Sequence, residues 1–217
     1  MKRLPEFDCH CHILPGLDDG SASLDESLTL CRWLVKRGYK RAVCTSHSSF
    51  LYRNSPRTVI PACRALQEEL DAQGIPLRLM PSLEYRLIPE TWPSLRKGNG
   101  LLPWEGNHLL VELPIRHREQ MGDLDMLSEI RSLIEDGYKP VLAHPERYLW
   151  ANNRDYETLL DTGIAFQRNL GSIEGAYGAA VASRARFILQ HGWYSFLGTD
   201  LHNIKYTEIF DGILDRQ

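Results

Sequence analysis

The sequence predicts an α/β protein built on a parallel sheet or barrel. Three observations carry that expectation. Seven strand-like segments alternate with helical segments along 217 residues, which is the pattern of parallel β/α folds. Helical segments stop at Gly38, Gly74, Gly137 and Gly192, a residue type that ends helices readily. Histidines and carboxylates recur at the C-terminal ends of the strand segments, where such folds build their sites.

Residues 7–12 read as the first strand. His10 and His12 are two apart and share a face, while Cys9 and Cys11 point the other way. Residues 14–21 form a loop, because Pro15, Gly16 and Asp18-Asp19-Gly20 are turn formers. Ser23 followed by Glu26 is a capping-box pattern. Leu24, Leu28, Cys31, Leu34 and Val35 then mark the apolar stripe of a helix. Residues 40–45 are a second strand delivering Ser46-His47, and 58–73 a helix. Residues 77–84 are a strand, and 88–104 a loop rich in Pro and Gly with room for one helical turn. Strands follow at 107–113, 140–144, 164–169 and 193–197, with helices at 124–136, 156–161, 175–190 and 206–214 between and after them.

Hydrophobic residues make up 43% and charged residues 24% of the chain, so a packed core in a single domain, residues 1–217, is expected. The formal net charge of -3 points away from nucleic acid and from anionic membrane surfaces. Five cysteines, an odd number, read as thiols of a reducing compartment. With no apolar leader and no stretch of membrane-spanning length, the expected location is the cytoplasm.

The ionisable residues fall in a regular pattern. His10 and His12, His47, Glu84, Glu112, His144, and Asp200 with His202 each stand at or just past a strand end. Imidazoles and carboxylates gathered on one face stay badly desolvated or repel unless a cation joins them. Nitrogen and oxygen donors suit manganese, iron or zinc, and the lack of cysteine among them argues against a structural zinc site. A lone His-x-His, a carboxylate ending a strand or an Asp-x-His turn each has an ordinary structural reading; their recurrence at equivalent points of the β/α cycle is the stronger signal. His108, His117 and His191 stand outside the pattern and read as surface or satisfied histidines. Tyr52, Arg53 and Arg57, just after His47, read as a solvated loop.

The stretch from His10 to Gly20, His-Cys-His-Ile-Leu-Pro-Gly-Leu-Asp-Asp-Gly, resembles the first motif of the PHP (polymerase and histidinol phosphatase) superfamily, in the form of its bacterial tyrosine-phosphatase branch. Ala143-His144-Pro145-Glu146-Arg147-Tyr148, residues 167–178 and Gly198-Thr199-Asp200-Leu201-His202-Asn203 are similar to later motifs of that branch. The resemblance implies a distorted (β/α)7 barrel and a three-metal centre, often manganese. It implies that His10, His12 and Asp200 hold one ion, that Glu84 bridges it to a second completed by Glu112 and His144, and that Asp19, His47 and His202 hold the third. Asp18 is left as an outer-shell or turn residue. Arg147 is the implied phosphate contact, acting with the ligands His144 and Asp200. The family often carries an arginine shortly after its Asp-x-His-Asn motif. Here the segment reads Asn203-Ile204-Lys205-Tyr206-Thr207, so Lys205 offers a charge but no bidentate fork.

The implied reaction is hydrolysis of phosphotyrosine by a metal-activated hydroxide attacking in line, without a phosphoenzyme. The implied partner is a phosphotyrosine protein, the tail of a bacterial tyrosine autokinase, in capsular or exopolysaccharide synthesis. Three other readings compete. A small-metabolite phosphatase, for histidinol phosphate or a sugar phosphate, would use the same ligands. A non-catalytic metal-binding scaffold would fit the missing arginine. A cysteine-based phosphatase would need Cys31 and Arg37 as a Cys-x5-Arg loop, yet that span lies inside a predicted helix and carries no glycine.

Overall fold

Short strands ending in polar residues, each followed by an amphipathic helix, need a parallel arrangement that covers both strand faces. The computed structural model describes residues 5–98 and 100–215. Among the described residues there are seven strands: β1 (Phe7–Cys11), β2 (Arg41–Ser48), β3 (Arg78–Arg86), β4 (His108–Glu112), β5 (Lys139–Ala143), β6 (Ala165–Asn169) and β7 (Tyr194–Gly198). They follow one another in chain order in a single sheet. Helices α1 (Leu24–Lys36), α2 (Pro56–Ala72), α3 (Trp92–Gly98), α4 (Met126–Glu135), α5 (Asn153–Leu160), α6 (Ala179–Gln190) and α7 (Ile204–Leu214) alternate with them. This is the (β/α)7 barrel topology expected. Among the described residues, no helix is long and apolar enough to cross a membrane.

The chain divides into two compact units. The first runs up to Leu83 and resumes at Leu197. In it, β1 pairs in parallel with β2, Phe7 opposite Arg41, and the chain returns to β1 near its end. There Asp200 N donates to His10 O at 2.7 Å and His12 N to Leu201 O at 2.9 Å. Cys9 and Cys11 are buried on the far face of β1, their thiols directed to the carbonyls of Leu197 and Val43. Helix α7 is tied to α1, where Trp33 Nε1 donates to Asp211 Oδ1 at 2.6 Å and Arg37 pairs with Asp211 and Asp215.

The second unit is Glu84–Phe196. Here β3 to β6 pair in parallel in continuous register. Leu109, Val111, Val141, Leu142 and Phe166 are fully buried between strands and helices. Tyr148 OH accepts from Leu113 N and donates to Ala143 O, fixing the turn after β5.

Several boundaries differ from the sequence reading, three of them for a clear local reason. Helix α3 forms in the span expected as a loop, anchored by buried Trp92, whose Nε1 donates to Glu129 Oε2 at 2.6 Å. Helix α5 starts earlier, at a capping box of Asn152 and Asp155. Helix α6 starts later, because Gly175 and Gly178 both hold φ of 95°, outside the helical region.

Candidate metal centre

The polar strand ends of the first unit carry four imidazoles and two carboxylates. His10 and His12 leave β1 on one face, both fully buried. Their Nε2 atoms are 3.1 Å apart and lie 3.2 and 3.5 Å from Asp200 Oδ1. His47, near the end of β2, has Nε2 3.4 Å from Asp19 Oδ1, and His202 Nε2 is 3.8 Å from the same oxygen. Two groups emerge: His10, His12 and Asp200; and His12, Asp19, His47 and His202. In each, the ligand atoms lie within 4.8 Å of one another. In the second unit, His144 Nε2 lies 3.3 Å from Glu84 Oε1 and 3.6 Å from Glu112 Oε1, and all three side chains are almost fully buried.

These distances decide what the residues fit. Two donors bound to one ion at about 2.1 Å each lie about 3.0–3.4 Å apart, whereas charged N–H···O bonds close to about 2.7–2.9 Å. Most of the contacts fall in or just beyond the first range. The donor set, imidazole nitrogen and carboxylate oxygen, is that of a divalent metal centre.

Outer contacts set the ring orientations. His12 Nδ1 is 2.9 Å from Asp18 Oδ2, which also accepts from His47 N at 2.8 Å, while Asp18 Oδ1 accepts from Gly20 N at 3.0 Å. With Nδ1–H donated to Asp18, His12 keeps the Nε2 lone pair for an ion. Burial works against the Asp18 charge, but His12 and His47 hold its carboxyl below the usual range. His202 Nδ1 donates to Asp200 O at 2.8 Å. Burial, with His12 beside it, pushes that imidazole down to about 4, so it is neutral and able to ligate at pH 7.

Two buried carboxylates had no role in the sequence reading. Asp8, on the His10 face of β1, accepts from Thr199 N at 2.9 Å and Thr199 Oγ1 at 2.6 Å, just before Asp200. Burial pushes Asp8 up to about 6 despite those bonds. Glu146, inside the His-Pro-Glu-Arg turn, accepts from Asn169 N, Ser172 Oγ and Tyr194 OH. The Asp8-x-His-x-His spacing was the available signal for the first. The second had none, since its partners lie on two other segments.

Two of the candidate ligands have backbones in the left-handed region: His144 at φ 33° and Asp200 at φ 53°. Arg147 is half-buried, its guanidinium 5.4 Å from the Tyr177 ring centre. Lys205 is exposed at the start of α7. Tyr52 stacks on His47 at 5.9 Å, while Arg53 and Arg57 are exposed. His108 stacks on Trp104, His191 Nδ1 lies 2.8 Å from Phe187 O, and His117 is exposed. Cys31 is buried inside α1 with its thiol pushed up to about 12 by burial, and Arg37 is committed to Asp211 and Asp215. That geometry removes the cysteine-based reading.

Residues 6–208 match the family described as capsular polysaccharide synthesis, CpsB/CapC. The tyrosine-protein phosphatase YwqE of Bacillus subtilis (strain 168) is 30% identical over 207 residues, covering 92% of this chain and 78% of that protein. The tyrosine-protein phosphatase CpsB of Streptococcus pneumoniae is 26% identical over 209 residues, covering 91% and 83%. Crystal structures of YwqE and CpsB, described as unique metal-dependent tyrosine phosphatases, include a chain that superposes with TM-score 0.82 at 29% identity, covering 97% of this chain and 87% of the other. A zinc-bearing histidinol phosphate phosphatase of Lactococcus lactis superposes with TM-score 0.56 at 10% identity, covering 97% and 93%, a likeness of fold alone.

Proposed function

The chain belongs to the CpsB/CapC capsular polysaccharide synthesis family, and from that membership we propose that it is a metal-dependent protein-tyrosine phosphatase, like its relatives. The observation that carries the reading is the spacing of buried imidazole and carboxylate atoms at 3.1–3.6 Å, which suits shared cations. We assign His10, His12 and Asp200 to one ion, Asp19, His47 and His202 to another, and Glu84, Glu112 and His144 to a third. Manganese is our first choice, with iron and zinc as alternatives for nitrogen and oxygen donors. The family match runs unbroken over residues 6–208, which supports treating the chain as a single phosphatase domain.

Divalent ions held by these residues would supply Lewis acidity, lowering the pKa of bound water toward about 7 and neutralising phosphoryl charge. The chain's own groups do the rest. Asp18 holds His12 with its Nε2 turned to the ligand cluster, and the Asp200 carbonyl holds His202 likewise. Arg147 offers the phosphate a bidentate fork, and Lys205 offers a point charge. A tyrosine leaving group has a pKa of about 10, so it departs with little help from a general acid. The partner we propose is the phosphorylated tail of a bacterial tyrosine autokinase that controls capsular or exopolysaccharide synthesis. Five buried free thiols support a reducing, cytoplasmic location.

The test is turnover of a phosphotyrosine peptide and of p-nitrophenyl phosphate. Chelator should abolish both and manganese restore them, and His144→Ala should be inactive with an unchanged circular dichroism spectrum. In labelled water, single turnover should place the label in phosphate with no trapped phosphoenzyme. Wild-type activity in His144→Ala would sink the metal assignment. Turnover of histidinol phosphate or a sugar phosphate far faster than the peptide would move the enzyme to the metabolite class.

A further inference from the structure

We propose that Arg86 is a phosphate-binding residue beside the candidate ligands Glu84, Glu112 and His144, in a chain that has no arginine just after Asp200-Leu201-His202-Asn203. The inference rests on the phosphatase reading and adds a residue to it.

Strand alternation places the side chain. Arg86 stands two residues after Glu84 on β3, so both leave the strand on one face. Tyr85, between them, points to the opposite face, where it is buried against Trp92 with ring centres 6.4 Å apart. In the parallel pairing of β3 with β4, Arg86 stands opposite Glu112. The row that carries the candidate ligands Glu84 and Glu112 therefore ends in an arginine. Exposure separates its members: the Glu84 and Glu112 side chains are 1% and 3% accessible, and that of Arg86 is 31%. Arg86 is where the row reaches solvent, the side from which a phosphomonoester arrives.

The contact with Glu112 leaves the fork available. Arg86 Nε is 3.9 Å from Glu112 Oε2, whereas an arginine committed to a carboxylate closes to about 2.7–2.9 Å and uses two donors in parallel. At 3.9 Å the charges compensate, but the planar donor edge is not consumed, and that edge matches phosphate geometry. Arg147 likewise follows a candidate ligand in the same unit, three residues past His144. Two ligand-bearing segments of one unit thus each carry an arginine just beyond the ligand.

The competing role is that Arg86 only compensates the charge of Glu112. Manganese-loaded wild type, Arg86→Gln and Arg86→Lys would be compared in calorimetric affinity for inorganic phosphate, metal content by elemental analysis, melting temperature, and KM and kcat on p-nitrophenyl phosphate. The expected result is a phosphate affinity weakened about 10- to 100-fold in Arg86→Gln, the worth of one charge-assisted hydrogen bond, with KM raised and metal content unchanged. Arg86→Lys should recover only part of the loss, because a point charge does not fork; it also carries the test if the Gln variant fails to fold. Unchanged phosphate affinity in either variant overturns the proposal. So does a loss of affinity that tracks lost metal and disappears in excess manganese, which assigns Arg86 to Glu112 alone. A wild type that binds phosphate but does not hydrolyse phosphotyrosine ends the tyrosine phosphatase reading and leaves the Arg86 measurement standing.

Discussion

Asp18 Oδ2 stands between two histidines, 2.9 Å from His12 Nδ1 and accepting the His47 amide at 2.8 Å. Its side chain has no exposed surface, whereas that of Asp19 is 54% exposed. Adjacent residues of the same type thus have different work: Asp19 lies among candidate ligand atoms, and Asp18 orients a ring that supplies one. Asp18→Asn keeps the shape and removes the charge. It should weaken metal affinity about 10- to 100-fold, the usual effect of losing such a partner, with activity recovered in excess manganese; unchanged affinity by competitive chelation would show that the bond does not orient His12. The pH dependence follows from the direction of the shift. A carboxyl held below its ordinary 3.8 adds stability that is complete above that value and is lost as pH falls through the folded-state pKa. The sequence allowed Asp19 to be chosen by motif. It could not reveal what Asp18 does, because its partners are met only when the loop folds back over β1 and β2. Arg86 stayed hidden for a simpler reason: the strand was expected to stop at Glu84 and instead continues to Arg86.

At the level of elements, the loop after β1 is held by close approach. A Cβ on Gly20 would stand 2.1 Å from His12 O and 2.6 Å from His12 Cβ, so only glycine lets the loop turn against the strand. Gly20→Ala must therefore displace His12. We expect a loss of about 1–3 kcal/mol in stability, typical of overpacking, together with lost metal; a melting curve and metal content equal to wild type would refute the close approach. The other end of the site is locked by Asp8, which grips Thr199 through both carboxylate oxygens and so positions the turn that delivers Asp200. Periodicity made the helices and strands legible because one face of each must be buried. It could not find the cap at Asn152, which lies before the apolar stripe, nor α3, whose stability comes from the contact of Trp92 with Glu129 rather than from a repeating pattern.

At the level of the whole molecule, clustered imidazoles and carboxylates should make stability depend on metal. A cation at about 100 times its Kd contributes about 2.7 kcal/mol, which in a chain of this size raises the melting temperature by roughly 5–10 °C per site. Chelator should lower the melting temperature and manganese restore it; a curve indifferent to both would show that no cation is held. Fold class was the most legible property, since alternation along the chain dictates topology, and both units keep the expected order of strand and helix. The chemistry was legible only as residue types at strand ends. One feature of those ends has a longer reach. His144 and Asp200 keep backbones at φ 33° and 53°, a conformation costing of order 1–3 kcal/mol for residues other than glycine. Under the proposed assignment of both as metal ligands, fold stability and catalysis compete at the same two codons. A duplicate gene freed from its catalytic duty would keep the seven strands and shed these side chains early. A screen for heat resistance alone would favour glycine there, and so select stable, silent proteins out of active ones.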